Sequence, residues 1–426
     1  MSPATRRPLL APGPRAPWAH WGIGLGFFAL YLGWGLAFHL KSPRLFYYLD
    51  EAFDADIPSR IMDLTRPQGP HLRAQFHPLF VLLLNPLGFA LRAGLRGLGV
   101  EASGRVAAIA LSAAAGGAGV ALFSVLLRGL GLASLRVVLW SLVFGLSASE
   151  LFFGSLPESW IFSGLSLLVL FALGTRPRPP RDGLIAAGTT AFGMAVTNLA
   201  AAGLVRACWL VSEGRVGRLV GGLARYLSLV LLATALLSAL QSALYPGASP
   251  FYRADPLARE DRQSFVGTFE PAALAGRAGD VLAHLFLFNL IAPRLLVTET
   301  GTPRTAVDFP DPSPAALRPE GAVHAALWTA LLLLAGRGLV RAREPLPLAL
   351  LRWLALQAAL HLVFGTSLFL YSCQWTFVVV ALAAVGTDRL GPPRGLDAGL
   401  LALVGLQALA NTAFLLEVLR VFAEAR

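Results

Sequence analysis

The chain alternates long apolar runs with short basic joints, and one acidic stretch breaks that rhythm. Apolar runs lie near 19–40, 76–91, 106–127, 137–153, 160–173, 183–211, 219–244, 321–340, 345–364, 368–385 and 398–419. At about 20 residues per full span, they predict an all-α polytopic membrane protein with roughly 10–13 membrane segments. Residues 1–17, proline-rich and carrying Arg6, Arg7 and Arg15, read as a cytoplasmic N-terminal tail, and 18–426 as a single transmembrane domain. The stretches 41–75 and 245–321 are expected to be two long extracytoplasmic loops. Within the second, 281–297 is apolar but interrupted by Asn289, Pro293 and Arg294, so it is expected to lie in the interface or dip in without crossing.

The basic joints set a topology with one unresolved step. The run 76–91 is expected to return inward and leave Arg92, Arg96 and Arg105 on the cytoplasmic side, together with Arg176 and Arg181. Three crossings between those joints have the wrong parity. Either Arg128 and Arg136 face outward, or one run is a partial, re-entrant segment. The run 183–211 is interrupted by Thr197 and Asn198, which predicts two short helices meeting at Asn198 and returning to the basic side.

Composition agrees with this class: 56% of residues are hydrophobic and 14% charged, against roughly 25% charged in soluble domains. The formal net charge of +11 is carried by arginine, because Lys41 is the sole lysine. That skew, with abundant Ala, Gly and Leu, points to a GC-rich prokaryotic genome and so to a bacterial inner (plasma) membrane. No basic stripe interleaved with aromatic residues is present, which argues against nucleic acid as a partner. Cys208 and Cys373 stand alone in apolar runs and suggest neither a disulfide nor a metal thiolate site.

Candidate chemistry concentrates in the first loop, where Asp50, Glu51, Asp54, Asp56 and Asp63 fall between two apolar runs. His77, Glu158, His361, Tyr371 and Gln374 are expected at the same outer surface. Ionisable groups near membrane depth are costly unless they line a cavity, so this convergence predicts a water-accessible outer pocket that binds substrate. Arg73, Arg253 and Arg294 are candidates to hold a lipid phosphate. Asp54 and Asp56 form an Asp-x-Asp pair that could hold a divalent cation, magnesium or manganese.

The order LDEAFDADIPSRIM, then FHPLFVLLLNPLG, then an arginine leading a Gly/Ala-rich run resembles the start of GT-C fold glycosyltransferases. The likeness is to the polyprenyl- and dolichyl-phosphate-sugar-dependent group that modifies proteins and lipid A. It rests on Asp50-Glu51, on Arg60-Ile61-Met62, on His77-Pro78-Leu79-Phe80 and on the late turn FLYSCQW at 369–375, and covers about the first 200 residues plus that late hairpin. The resemblance implies a GT-C-like bundle and transfer of a sugar from a polyprenyl-phosphate donor, with inversion, at the extracytoplasmic face. It also implies Asp50 as the base that takes the acceptor proton, with Glu51 beside it. Two rival readings stand beside it: a multi-pass transporter or lipid flippase, and a scaffold that keeps the fold without the chemistry.

Overall fold

The computed structural model describes residues 18–176, 179–253, 270–299, 305–340, 344–390 and 395–424. They form an almost entirely helical bundle. Its first part comprises α1 (Trp18–Lys41), α2 (Ile57–Thr65), α3 (Phe80–Gly97) and α4 (Ser103–Gly129). Helices α1 and α4 are the antiparallel centre, and glycine makes their close approach possible. A Cβ built on Gly117 would lie 2.6 Å from the Gly24 carbonyl oxygen, and one on Gly24 would lie 2.8 Å from that of Gly117. Backbones in contact maximise dispersion in lipid, where no hydrophobic force pulls helices together. Tyr31 fills the adjoining space against Gly116 and Gly154 and donates to the Gly145 carbonyl at 2.7 Å.

The chain continues through α5 (Ser134–Gly145), α6 (Ala148–Ser155), α7 (Ser159–Gly174), α8 (Arg181–Met194), α9 (Leu199–Ser212) and α10 (Leu219–Leu244). The later elements are α11 (Pro271–Ala283), a hairpin of β1 (Leu296–Glu299) and β2 (Thr305–Asp308), α12 (Pro319–Leu339), α13 (Pro345–His361), α14 (Thr376–Arg389) and α15 (Leu396–Glu424). Strands β1 and β2 pair antiparallel with Leu296 opposite Asp308, and Val307 also bridges to Ala52 in the acidic loop.

Among the described residues, five helices are long and apolar enough to cross a membrane, or up to seven if α5 with α6 (bent by 63°) and the 3-10 turn Leu368–Gln374 with α14 (bent by 56°) each count as one span. The expected count was higher because several apolar runs make helices too short to span. Helix α7 has 16 residues, and α8 and α9 have 14 each.

The parity problem is solved at α3. Asn85 donates to the Asp63 carbonyl at 2.8 Å, the Cβ position of Gly88 abuts the Leu64 carbonyl, and Arg92 donates to the Thr65 carbonyl at 3.1 Å, so α3 runs alongside the short helix α2. Arg105, just inside α4, lies 3.2 Å from His39 and packs over the Phe46 and Tyr47 rings. The run 76–91 therefore does not cross, and Arg92 and Arg105 stay at the same end of the bundle as the acidic loop. Helix α3 has one apolar and one polar face, the pattern of a helix lying in an interface, whereas the polar face of α2, with Arg60 and Asp63, is turned into the protein.

Arg128 and Arg136 belong to the opposite end. Arg136 pairs there with Asp388 and Asp397, and Arg389 pairs with Glu344. The run 183–211 forms the two expected short helices: the chain turns at Val196–Asn198, and Tyr226 of α10 reaches both Leu184 early in α8 and Arg206 late in α9. The apolar segment after α11 also dips in, through a π turn at His284–Phe288 to Asn289 and Leu290. It fills the bend between α5 and α6, where the Leu290 carbonyl accepts from the Ala148 N–H at 3.2 Å and from Asn411 at 2.6 Å.

Gly117→Val should drive a side chain into the α1 backbone. We expect it to cost on the order of 1–3 kcal/mol by overpacking. Gly22→Ala, where a side chain meets nothing within 4 Å, should be silent. Thermal unfolding of both variants in one detergent checks the contrast.

Candidate functional site

The acidic loop is held by one aromatic side chain. Phe53 adopts φ +55° between Asp50 (φ +61°) and Asp54 (φ +54°), a left-handed region that non-glycine residues seldom enter. What offsets that cost is burial. The Phe53 ring is fully enclosed among Phe152, Phe309, Phe369 and Phe414, with centroids 4.7–6.0 Å away. Its N–H donates to the Val307 carbonyl and the Val307 N–H donates to the Glu51 carbonyl, both at 2.8 Å. The first and second polar stretches are thus stitched together at one end of the bundle.

Beneath the loop lies a buried ion network centred on Arg60. Its guanidinium is 1% exposed and sits 2.8 Å from Asp63, 3.3 Å from Asp56 and 4.0 Å from Glu158. The spacing explains part of this, since Asp56, Arg60 and Asp63 are i, i+4 and i+7 on one face of α2. Arg73 adds a second cation, 3.1 Å from Asp56. Asp63 also meets His71 at 2.9 Å.

Glu158 caps α7. It accepts from the Ser159 N–H at 2.6 Å, from the Ser159 hydroxyl at 2.8 Å and from the Asp56 N–H at 2.9 Å. Burial pushes its carboxyl up, and Arg60 opposes that rise. His77 donates from Nδ1 to the Met194 carbonyl at 2.5 Å, and its Nε2 lies 3.3 Å from the Ser159 hydroxyl. Burial, with Arg60 nearby, pushes the His77 imidazole down to about 3, so it is neutral at physiological pH.

The structure sorts the expected residues into groups. Asp50 is exposed at the rim, with its N–H directed to the Ala55 carbonyl at 3.3 Å. Glu51 is buried and pairs with Arg44 at 3.0 Å, so the Asp-Glu pair is divided between rim and core. Asp54 accepts from the Thr366 hydroxyl and from the Ser367 N–H at 3.1 Å, which ties the loop to the late turn. Tyr371 follows that turn, within electrostatic reach of Asp54, Arg73, Asp56 and Glu158. Its ring packs on His361 at 4.8 Å and on Trp160 at 4.7 Å. His361 is buried, with Nδ1 directed to the Phe364 carbonyl.

Three expected residues sit elsewhere. Gln374 is buried within the bundle, donating to Ser163 at 3.0 Å and Asn198 at 3.2 Å, where it braces the turn between α8 and α9. Arg253 is exposed in the turn after α10, and Arg294 is exposed beside the hairpin, with its N–H on the Ala316 carbonyl. The Asp-x-Asp pair does not fit a divalent cation as it stands. Asp56 is committed to two arginines and Asp54 to the late turn, and among the described residues no group of three or more His, Cys, Asp or Glu side chains gathers.

Asp308 joins the site unannounced by the sequence. Its carboxylate accepts from the Phe309 N–H at 2.8 Å and the Ser367 hydroxyl at 3.1 Å. Burial, then the nearby Asp54 carboxylate, pushes it up from 3.8 to about 6. A carboxyl raised in the folded state contributes stability below its unfolded value and loses it as pH climbs through the folded value. Asp308→Asn should therefore flatten the fall in stability from about pH 4 to 6, read by thermal unfolding at stepped pH. Arg60→Met should cost about 3–5 kcal/mol, because it leaves Asp63 and Glu158 buried without their cation. Chemical denaturation of the two proteins side by side measures it.

No protein-family model, curated protein or solved structure matches this chain, so its function is argued from this site alone.

Proposed function

We propose that this integral membrane protein is a glycosyltransferase of the GT-C kind, moving a sugar from a polyprenyl-phosphate donor to an acceptor at the acidic-loop end of the bundle. The observation that carries the reading is the pairing of Arg60 and Arg73 with Asp56 and Glu158 in the same loop region as the exposed Asp50, whose N–H meets the Ala55 carbonyl, beside the two-faced helix α3. An interfacial helix lets a lipid-borne donor reach the site without leaving the membrane. Arg73, whose side chain is 27% exposed, is the cation nearest solvent and is assigned the donor phosphate, whose departing charge it would stabilise. Asp50 is assigned the acceptor proton, since it is exposed and the loop geometry fixes its backbone. Arg60, Asp63, Glu158 and His77 position these groups from below. No step is assigned to a metal ion, because Asp54 and Asp56 are already engaged. Arginines lie at both ends of the bundle, and several at the acidic-loop end are held by acids. The cluster of Arg181, Arg206, Arg215, Arg218 and Arg225 favours placing the other end in the cytoplasm and the site outside, in a bacterial inner membrane.

A transporter remains the second reading, and a specific observation favours it: α5 and α6 are broken by a 63° bend that a re-entrant segment fills. Broken helices mark substrate sites in transporters when charged groups meet them near the midplane. Glu150 of α6 does sit beside that break, buried and hydrogen-bonded with Cys373. The larger charged network, with its solvent-accessible members, gathers at the end of the bundle, and that favours transfer chemistry.

Asp50→Asn is expected to lower transfer from a polyprenyl-phosphate sugar by about 10²- to 10⁴-fold while leaving thermal stability within error. Glu51→Gln should instead lower stability, through loss of its buried pair with Arg44. Turnover and melting temperature of purified wild type and both variants decide between the roles. Wild-type turnover by Asp50→Asn removes the assignment, and wild-type protein inert toward every such donor removes the transferase reading.

A further inference from the structure

At the end of the bundle opposite the acidic loop, α8, α9 and α10 enclose a cavity of about 320 Å³ lined by Arg181, Arg206, Arg215, Arg218 and Arg225 with no acidic residue in its wall. Four of these five arginines are exposed to solvent and Arg206 is half-buried, so the cavity concentrates positive charge that an anion can meet. The walls carry unused donors as well. Arg206 Nε and Trp209 Nε1 are both buried and lack a hydrogen-bond partner, and the Arg206 guanidinium lies 4.4 Å from the Trp209 ring centroid. Two acids flank the cavity: Glu213 pairs with Arg215 at 3.1 Å, and Asp182, next to Arg181, lines the adjoining groove.

A second cavity of about 340 Å³ continues from the first. The two share Ile185, and the second is lined by Asp182, Ala186, Thr189 and Thr190 of α8, Ala233 and Leu237 of α10, and Leu79 and Leu83. Along α10 the lining passes from Arg225 and Leu229 in the first cavity to Ala233 and Leu237 in the second. A cationic pocket thus adjoins a groove that carries Asp182 at its near end, beside Arg181, and is otherwise lined by apolar residues and two threonines toward the other end of the bundle.

We propose that this pocket and groove bind one anionic phospholipid, its phosphodiester among the arginines and an acyl chain between α8 and α10. Charge complementarity selects the headgroup, and the continuity of pocket with groove selects a lipid over a free anion. Basic pockets between membrane helices hold phospholipid headgroups by the same physics. The site is separate from the proposed transferase centre and does not depend on that reading.

The test uses the purified full chain in detergent, titrated with phosphatidylglycerol, phosphatidylcholine or inorganic phosphate, and reads bound lipid by native mass spectrometry and melting temperature. Phosphatidylglycerol should bind and stabilise, and the other two should not. Arg206→Gln should weaken binding roughly five-fold or more, and the exposed pair Arg218→Gln with Arg225→Gln should do so even if Arg206→Gln folds poorly. Thr190→Trp, which fills the groove, should also weaken it, whereas Arg337→Gln, at the same end but outside the cavity, should not. Equal binding of phosphatidylcholine overturns the proposal. So does stabilisation by inorganic phosphate that matches the lipid and ignores Thr190→Trp, which would make this a free-anion site. A loss from Arg337→Gln as large as that from the cavity arginines would also overturn it, as diffuse surface charge.

Discussion

The acidic-loop end depends on keeping one guanidinium charged in a place without water. Arg60 is as enclosed as the tryptophans of the core, and a lone cation there would be prohibitively costly. Asp63, Asp56 and Glu158 make the burial tolerable, and in doing so they tie α2 to the start of α7 and to the end of the acidic loop that precedes α2. Because charge pairs in a low dielectric are directional and strong, the network specifies position more sharply than apolar packing would. The rim carboxylates inherit that precision.

Around that network the two long polar stretches act as one structure. The bridge of Val307 to Ala52 and the Phe53 ring beneath it fix the first loop to the second, and Thr366 and Ser367 fix it to the late turn. Segments more than 250 residues apart therefore meet at a single site. At the opposite end some arginines pair with acids, as Arg136 does with Asp388 and Asp397, while others line the cavity between α8 and α10.

What the sequence makes legible here is what has a local cause. The acidic loop, the interruption at Asn198 and the inward dip after α11 each follow from polar residues inside or beside an apolar run. The ion network was partly readable too, because Asp56, Arg60 and Asp63 share a helical face. The fate of 76–91 was not, since its apolar content suits a span and only contact with α2 keeps it at one end. Asp308 lies in an ordinary four-residue strand, and Gln374 gave no sign that it would turn inward toward Asn198. Each of these is decided by a partner distant in sequence.

The bend between α5 and α6 carries a consequence for biogenesis. The backbone there is completed by Leu290 and Asn289 from the re-entrant segment, and by Gln407 and Asn411 of α15, which donate to the Val143, Leu146 and Leu290 carbonyls. During synthesis, α5 and α6 emerge long before any of these partners exists. The nascent bundle holds these polar backbone groups without their partners until α15 inserts, so closure of the bend waits on α15.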